Sequence, residues 1–591
     1  MNMLRSLALL TCAAAMGGCA SLSTDTRMDA FATPRVTTHR DGDDLLTGGL
    51  GLAGLHGATP AFADPVHPTP LELRRRAIWS SWRGIADLTP AGGYGTLYGS
   101  TASVPGREFS TLARLPGASQ PHRVTVQVPD GFDTQRRCIL VAPSSGSRGV
   151  YGAISVAGAW GLPRGCAVAY TDKGAGSDYF DLDAGQGIVL DGTVQPAGSA
   201  PLAFEPAQRT GSGIAFKHAH SGDNPEKDWG RHVKQAAEFA LQALDEAFPQ
   251  KAPFRFDNTR VIAVSISNGG GAVLRAAELD GDWLDAVVAG EPNINAPDAP
   301  PLYDVATEAA LLMPCALGHL GVPLPPSAGP KCRELAEAGL VTGGNDAARA
   351  RDAYDRLRAR GWTDEALRAG SLSVAFDLWR SVAATYASAY GRFGPNAHPC
   401  GFRFATVDAA GAPRAATDME RAAWWADAAG IPPGAGVMML PPSGAPLDSL
   451  RCLRGLWTDT GAAAYHVRAG IRETRAALPR AGIPITIVHG TDDGLIPVAF
   501  TSAPYVDFAR KAGREITYWR VGHAQHFDAF LQLPPVGAGY VPLLPYVYAA
   551  LDRTWAHLYE GAPMPVDATI ATRPRGSDAA LTAEHLAIPV R

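Results

Sequence analysis

The chain has 591 residues, more than one ordinary hydrophobic core accommodates, so its length predicts two or more domains. Hydrophobic residues make up 46% and charged residues 18%, which is typical of a folded chain, and the net charge of −5 is small for this length. Because no basic stripe accompanies that charge, we expect no nucleic-acid partner.

The N-terminus predicts an export signal over residues 1–20. A positively charged start, MNMLR, precedes the apolar stretch SLALLTCAAAMGG, which is too short to span a bilayer. Cys19 follows in MGGCAS, which resembles a bacterial lipoprotein box and predicts a lipid anchor at Cys19, although Met16 and Gly17 depart from the usual residues. The alternative is plain secretion with cleavage after Ala20. Both place the mature protein outside the cytoplasm, secreted, periplasmic or at the outer membrane, and no later stretch predicts a transmembrane segment.

Short apolar runs alternate with helical patterns after an extended N-terminal lead-in, residues 21–70. Continuous apolar strands separated by helices indicate a parallel sheet that is covered on both faces. We therefore expect an α/β catalytic domain formed by residues 71–295 and 481–591. The stretches with predicted strands are 123–128, 137–149, 165–176, 261–266, 284–290, 483–490 and 515–521, and the predicted helices include 230–248 and 543–561.

Residues 296–480 interrupt this alternation. They contain few strand signals, and helical patterns run over 346–361 and 371–390. The stretch predicts a large, mainly helical insertion between two strands of the sheet, placed to cover the active site as a lid.

Export changes the interpretation of the cysteines, because an oxidising compartment favours disulfides. Six cysteines follow the predicted signal, and no CxxC motif points to zinc. Many pairings are open to six cysteines. We predict Cys138–Cys166, at the starts of neighbouring strands, and Cys315–Cys332 and Cys400–Cys452, which close local loops in the insertion.

The stretch VIAVSISNGGG, residues 261–271, runs a β-branched strand directly into three glycines. Ser267 lies there in a small-x-Ser-x-small pattern, SISNG, whose small flanks let a strand turn sharply into a helix. In the α/β-hydrolase fold such a turn holds the nucleophile of a Ser-His-Asp triad. Ser265 in AVSIS also fits the pattern, but we favour Ser267 because the glycines begin two residues after it. The alternative is a serine- and glycine-rich turn that has no catalytic role.

The other two members of the triad should follow in the order Asp, then His. In IPITIVHGTDDGLIPVAF, residues 483–500, a strand runs into H-G-x-x-D, which favours Asp493 over its neighbour Asp492. After the next strand, GHAQHF offers His523 and His526, and we favour His526, which stands before an aromatic residue at the usual loop distance.

Two backbone N–H groups should stabilise the oxyanion of the reaction. One belongs to Asn268, immediately after the nucleophile. The other should come from the loop PSSGSRG after an earlier strand, where we predict Ser145 or Gly146; an ordinary flexible loop is the alternative.

Two weaker patterns point to metals, and we expect neither a metal nor a cofactor. His218-x-His220 resembles half of a binuclear zinc motif, but Gly222 stands where that motif needs an aspartate. The stretch 178–187, DYFDLDAGQG, resembles a calcium loop but lacks the full ligand spacing and the terminal glutamate.

Four blocks together carry a family resemblance: DDLLTGGLGLAGL, KHAHSGDNPEKDWG, SISNGGGAVLRAAE and AQHFDAF. They resemble the D-(−)-3-hydroxybutyrate oligomer hydrolases, bacterial serine esterases that act on short oligomers from poly(3-hydroxybutyrate). The resemblance spans the chain from about residue 40 onward. It implies Ser267 as nucleophile, is compatible with Asp493 and His526, and implies a small-molecule ester substrate.

Two other functions remain open at this point. A related exported esterase of the tannase or feruloyl-esterase type would share the fold and the large insertion. A non-catalytic binding protein on a hydrolase fold belongs to another class, and the three triad candidates in the right order argue against it. Because no linker and extra module follow the last predicted strand, we expect soluble oligomers to be preferred to solid polymer.

Overall fold

Residues 30–325, 328–427, 430, 434–576 and 580–589 are the part of the chain that the computed structural model describes. The predicted signal peptide, with its Cys19, lies outside these residues. Of the helices in the described ranges, none combines the length and the hydropathy needed to cross a bilayer.

Seventeen strands form within the described residues. In chain order they are β1 Arg35–His39, β2 Gly106–Ala113, β3 His122–Pro129, β4 Cys138–Pro143, β5 Ala167–Thr171, β6 Tyr179–Asp181, β7 Gln186–Ile188, β8 Val194–Pro196, β9 Ile214–Phe216, β10 Arg260–Ile266, β11 Ala286–Gly290, β12 Arg403–Val407, β13 Pro413–Arg414, β14 Val437–Leu440, β15 Ile485–Gly490, β16 Thr517–Val521 and β17 Ala568–Ile570.

Ten of these strands make one large sheet in the order β1-β2-β3-β5-β4-β10-β11-β15-β16-β17. The pairs from β1 to β5 are antiparallel, and every pair from β5 to β17 is parallel. Strands β4 and β11 are buried at every position, which suits a sheet covered on both faces. The predicted α/β-hydrolase fold is confirmed.

Eighteen α-helices lie in the described residues. They are α1 Gly51–His56, α2 Pro70–Arg83, α3 Ala159–Gly161, α4 Lys217–His220, α5 Trp229–Ala247, α6 Asn268–Ala276, α7 Leu302–His319, α8 Cys332–Glu337, α9 Asp346–Arg360, α10 Asp364–Ala375, α11 Leu378–Gly391, α12 Asp418–Asp427, α13 Pro446–Thr458, α14 Ala462–Glu473, α15 Ser502–Lys511, α16 Pro534–Gly539, α17 Leu544–Glu560 and α18 Ala583–Leu586.

The core has two layers because successive strand residues point to opposite faces of the sheet. Val261 packs on one face among side chains of α5, α6 and α15. Its neighbour Ile262 packs on the other face, in a cluster that contains Val547 and Leu551 of α17. The apolar runs that predicted the strands therefore supply both layers.

The stretch between β11 and β15 contains α7 to α14 and a three-stranded sheet of order β13-β12-β14. The helical pattern over 371–390 does not form one helix: α10 ends at Ala375 and α11 begins at Leu378. Asp377 between them has a φ of 54° and so breaks the helix. The short strands β12 to β14 carried no clear period of two, so the sequence did not predict them.

Other elements escaped the sequence patterns. Part of the lead-in joins the large sheet, since β1 pairs with β2 at its edge. Residues 179–216 form a second sheet, of order β8-β7-β6-β9. The tail after α17 adds β17 to the opposite edge of the large sheet.

Three disulfides join the six cysteines that follow the predicted signal. They are Cys138–Cys166, Cys315–Cys332 and Cys400–Cys452, as predicted. The first connects the start of β4 to the residue before β5, and these strands are parallel neighbours. In the chain-entropy account each stabilises the fold by about 2–4 kcal/mol, because it restricts the unfolded chain.

Candidate active site

The turn after β10 holds Ser267 at the carboxyl edge of the parallel strands. Its backbone has φ 57° and ψ −128°, a conformation that residues with a side chain rarely adopt. Two hydrogen bonds hold it there: the Ser267 N–H donates to Gly290 O at 3.0 Å, and the Asn293 N–H donates to Ser267 O at 3.0 Å. Strain that persists because its surroundings enforce it is a feature of functional turns.

The neighbouring serine and glycines have structural tasks. Ser265 is fully buried and its hydroxyl donates to Pro143 O at 2.6 Å, which ties β10 to β4. A side chain at Gly269 would collide with Ser265, and one at Gly271 would collide with the carbonyl of Asn293. The glycines therefore let α6 approach the sheet closely enough to form the sharp turn.

Ser267, His526 and Asp493 form a continuous chain of hydrogen bonds. His526 Nε2 lies 3.1 Å from Ser267 Oγ, and His526 Nδ1 lies 2.7 Å from Asp493 Oδ2. Because an ionised carboxylate only accepts hydrogen bonds, Nδ1 carries the proton and Nε2 is left to accept from the serine. The backbone N–H groups of Leu495 and Ile496 donate to Asp493 Oδ1 at 2.8 and 2.6 Å and fix the carboxylate.

The charge of Asp493 is supported by a second imidazole. Burial disfavours that charge, but the imidazoles of His526 and His489 outweigh it and hold the pKa of Asp493 below its ordinary value. His489 Nε2 lies 3.2 Å from Asp493 Oδ2 and 3.0 Å from Ile496 O, and its Nδ1 is hydrogen-bonded to Ser502 at 2.6 Å. The sequence analysis gave His489 no role, although it is the histidine of the H-G-x-x-D motif.

Glu291 is a further acidic residue of the site that sequence reasoning missed. It follows β11, is buried, and has a φ of 35°. Its Oε2 lies 3.8 Å from His526 Nδ1 and has no hydrogen-bond partner among the described residues. Burial, together with the charges of Asp493 and Asp528, raises the pKa of Glu291 well above its ordinary value. Only its position directly after a strand, in VVAGEP, could have drawn attention to it.

The oxygens and nitrogens of Glu291, Asp493 and His526 lie within 4.8 Å of one another, close enough to hold a metal ion. The protonation states of these three groups favour hydrogen bonding over metal binding. His526 Nδ1 carries the proton that it donates to Asp493, so it has no lone pair for a metal ion. A protonated Glu291 is also a poor metal ligand.

The protonated state of Glu291 predicts a pH-dependent stability. In the unfolded chain this carboxyl ionises near a pKa of about 4.3, whereas the folded protein keeps its proton to much higher pH. The free energy of unfolding of wild type therefore falls as the pH rises from the pKa of Glu291 in the unfolded chain to its raised pKa in the folded protein. Glu291→Gln removes this loss, so the melting temperature of the variant relative to wild type should rise between pH 5 and pH 8. Thermal unfolding at several pH values measures it. The exposed Glu515→Gln is the control, and a relative melting temperature of Glu291→Gln that stays flat or falls would contradict the assignment.

The rival residues lie outside the hydrogen-bonded chain. Asp492 accepts a hydrogen bond from the Thr491 hydroxyl at 2.6 Å. His523 is exposed, and its Nδ1 lies 3.2 Å from Thr572 Oγ1. Neither makes a hydrogen bond to Ser267 within the described part of the chain.

The loop after β4 contains the two predicted oxyanion residues. The Ser145 N–H is directed at Gly152 O, 3.5 Å away, whereas the Gly146 N–H has no acceptor among the described residues. Gly146 has a φ of 52°. The buried Lys173 fixes this loop: its Nζ donates to Gly146 O at 2.5 Å and to Ser144 Oγ at 3.0 Å. Burial lowers the pKa of Lys173 to about 7.

Asn268, the third predicted oxyanion residue, begins α6. Its backbone N–H has no acceptor among the described residues, as is usual in the first turn of a helix. Its side chain is fixed on both sides, since it donates to Tyr386 Oη at 2.5 Å and accepts from Asn293 Nδ2 at 2.9 Å. The unused N–H groups of Asn268 and Gly146 both belong to residues that line the cavity beside Ser267.

The cavity at Ser267 has a volume of about 110 Å³ and is partly open to solvent. Ser267 and His526 are only 6% and 8% exposed at its base. Arg148, Asn268, Glu291 and Asp528 also line it. The stretch between β11 and β15 contributes its apolar cover: Leu302, Leu378, Trp379, Val382 and Tyr386.

The two metal-like patterns have other contacts. His218 Nδ1 is hydrogen-bonded to Ser147 Oγ in the loop after β4 at 2.5 Å, and His220 Nδ1 accepts from the Phe216 N–H at 2.9 Å. Burial lowers both pKa values to about 3. In the calcium-like stretch, Asp181 is paired with Arg421 at 2.8 Å.

Known proteins show clear similarity over nearly the whole chain. A family model described as 3HB-oligomer hydrolase matches residues 12–445 and 441–589. A D-(−)-3-hydroxybutyrate oligomer hydrolase of Paracidovorax citrulli is 38% identical over 674 aligned residues, covering 98% of this chain and 95% of the relative. One of Burkholderia vietnamiensis is 39% identical, covering 91% and 88%.

Solved structures are only distantly similar. Feruloyl esterase B of Aspergillus oryzae is 12% identical with a TM-score of 0.32, covering 82% of this chain and 85% of that one. Tannin acyl hydrolase of Aspergillus niger is 13% identical with a TM-score of 0.34, covering 79% and 80%. We base no conclusion on likenesses at these TM-scores.

Proposed function

The chain belongs to the 3HB-oligomer hydrolase family, and from this premise we propose that it hydrolyses the ester bonds of soluble 3-hydroxybutyrate oligomers by a Ser-His-Asp mechanism. The observation that carries the mechanism is the hydrogen-bonded chain from Ser267 through His526 to Asp493, whose first two members line a cavity. The substrate is inferred from family membership, and the Ser-His-Asp mechanism is inferred from the chain of hydrogen bonds.

The reaction begins when Ser267 Oγ attacks the ester carbonyl. His526 Nε2 takes the serine proton, and Asp493 stabilises the imidazolium through Nδ1. His526 then returns the proton to the leaving alcohol, and a hydroxybutyryl ester of Ser267 remains. Water, activated by the same imidazole, releases the second product and restores the serine.

The negative oxygen of each tetrahedral intermediate needs N–H donors. We assign this role to the backbone N–H groups of Asn268 and Gly146, which have no other acceptor in the described chain. We favour Gly146 over Ser145 because the Ser145 amide is directed at Gly152 O. Loss of one such donor typically costs about 3 kcal/mol of transition-state stabilisation.

The site of action is proposed from the cysteines and the N-terminus. Three disulfides join the cysteines that follow the predicted signal, and disulfides persist in oxidising compartments. We propose that the protein is exported, with either a lipid at Cys19 or a free N-terminus.

Product analysis tests the proposed function directly. We expect the purified protein to convert 3-hydroxybutyrate dimer and trimer to monomer, and mass spectrometry would identify the products. Feruloyl and tannin esters tested beside them address the related esterase activities. Intact oligomers together with cleaved feruloyl or tannin esters would contradict the assignment, and a folded protein that no fluorophosphonate labels would favour the non-catalytic alternative.

The covered site predicts a preference for soluble chains over solid polymer. A flexible oligomer end can reach Ser267 under the apolar cover, whereas the flat face of a polymer particle cannot, because the serine is almost fully buried. With equal ester loads, trimer should be cleaved at least about tenfold faster than a poly(3-hydroxybutyrate) film. Released monomer measures both reactions. Rapid erosion of the film with the trimer uncut would contradict the prediction.

A further inference from the structure

We propose that Arg148 binds the terminal carboxylate of the substrate and thereby makes the site selective for oligomers with a free acid end. This inference rests on the proposed function and specifies which part of the oligomer occupies which part of the cavity. Its ligand class is a short aliphatic hydroxy acid ester that ends in a carboxylate.

The position of Arg148 connects it to the reaction. It belongs to the loop after β4 and follows Gly146, a proposed oxyanion donor, by two residues. Its side chain lines the same cavity as Ser267 and His526. Two steps along the chain span at most about 7 Å, so its side chain starts close to where the scissile carbonyl would lie.

Among the described residues Arg148 has no acidic partner, although it is partly buried. Its Nη2 donates to Gly84 O at 3.0 Å, while its Nε and Nη1 groups have no acceptor among the described residues. Gly84 makes room for it, since a side chain there would collide with the guanidinium. Burial is the cause that lowers the pKa of Arg148 to about 10, and no nearby carboxylate opposes it.

Two other arginines, which are buried, are paired with carboxylates. Arg74 is paired with both Glu108 and Asp43, and Arg123 is paired with Asp178 at 2.8 Å. A cation removed from water is costly unless it is paired, so a guanidinium without a carboxylate partner among the described residues, in a residue that lines a binding cavity, points to an anionic ligand. The planar guanidinium binds a carboxylate through two parallel hydrogen bonds, from Nη2 together with either Nε or Nη1, and Nη2 has a second N–H besides the one that donates to Gly84 O.

The acidic groups of the cavity leave this guanidinium available. Asp493 is paired with His526, and Glu291 is held neutral by burial and its acidic neighbours. Asp528 accepts the backbone N–H groups of Leu543 and Leu544 at 2.8 and 2.9 Å, and burial raises its pKa to about 7.

The proposed substrate carries a carboxylate on its leaving group, at a distance that Arg148 can reach. In a 3-hydroxybutyrate dimer, the leaving alcohol is itself 3-hydroxybutyrate, and two carbons separate its ester oxygen from its carboxylate carbon. With the scissile carbonyl at Gly146 and Asn268, that carboxylate falls on the leaving-group side, within reach of a long side chain. The enzyme would then remove one acid unit at a time from the carboxyl end of the oligomer.

The test compares three esters of different charge. They are the free-acid dimer of 3-hydroxybutyrate, the methyl ester of the same dimer, and p-nitrophenyl butyrate. Wild type should have a kcat/KM for the free acid about 10- to 100-fold above that for the methyl ester, as charge-assisted hydrogen bonds provide. Arg148→Gln should abolish most of this preference, mainly through KM.

Two further variants separate binding from folding. Arg148→Lys keeps the charge without the planar pair of donors, so it should recover part of the preference. Arg83→Gln is the matched control, because Arg83 also donates to a backbone carbonyl, His56 O at 2.8 Å, but does not line the cavity. It should keep the wild-type preference.

The outcomes distinguish this inference from the function on which it rests. If wild type cleaves the free-acid dimer and its methyl ester equally well, the proposed function stands and the role of Arg148 is wrong. An equal loss by Arg148→Gln on all three esters would also overturn it, since that result indicates a structural role. If wild type cleaves p-nitrophenyl butyrate but neither dimer, the proposed function fails and the inference fails with it.

Discussion

Replacing Ser267 with alanine is expected to lower kcat on 3-hydroxybutyrate trimer by about 10⁴-fold or more, because no other group can form the covalent intermediate. Alanine retains the β-carbon, so the turn with its positive φ and the two backbone hydrogen bonds of residue 267 should persist. Initial rates with trimer measure the loss. The circular dichroism spectrum and the melting temperature should stay those of wild type.

Ser265→Ala is the matched control for this prediction, since Ser265 also fits the small-x-Ser-x-small pattern. Its hydroxyl donates to Pro143 O in the core, so its loss should lower the free energy of unfolding by about 1–3 kcal/mol. The folded fraction should retain activity. An active Ser267→Ala together with a folded but inactive Ser265→Ala would transfer the nucleophile to Ser265.

The three residues that the hydrogen bonds connect are the three that the sequence favoured, and the reason is local. Ser267, Asp493 and His526 each follow a strongly apolar strand within a few residues. In a parallel sheet the carboxyl ends of β10, β15 and β16 meet at one edge, so strand prediction alone brings their loops together. Motif and topology therefore gave the same answer.

Residues that act through tertiary contacts could not be found in this way. Glu291 carries no motif that separates it from ordinary residues at strand ends, and the H-G-x-x-D motif that contains His489 pointed to its aspartate rather than to its histidine. Lys173 matters because it donates a hydrogen bond to Gly146 O, and Arg148 matters because no carboxylate of the described residues is paired with it. Such features depend on which distant segments pack together, and no short pattern encodes that.

Secondary structure was predictable where burial is continuous. Strands such as β4 and β11 are buried throughout and were read from their apolar runs. The strands β6 to β9 and β12 to β14 have only two to five residues each, too few for a period of two to stand out in their sequences. The break at Asp377 depends on one residue with a positive φ inside a helical pattern, which the period of the pattern does not reveal.

His526→Ala is the second substitution for which we expect a very large effect. Without the imidazole, the proton of Ser267 has no acceptor among the described residues, and the leaving alcohol loses the donor that the proposed mechanism gives it. The loss in kcat on the trimer should again be about 10⁴-fold or more. His523→Ala is the matched control: that histidine is exposed and contacts Thr572, so its loss should have little effect on the rate.

The double variant makes the test sharper, because members of a catalytic unit do not act additively. If Ser267 and His526 serve the same step, Ser267→Ala with His526→Ala should be no slower than Ser267→Ala alone. Multiplying losses would show that the two residues serve separate steps, and a fully active His526→Ala would move the general base to His523. In the proposed mechanism Asp493 acts on the serine only through the imidazole, because its Oδ2 is hydrogen-bonded to His526 Nδ1 at 2.7 Å. Asp493→Asn in the His526→Ala background should therefore likewise add little.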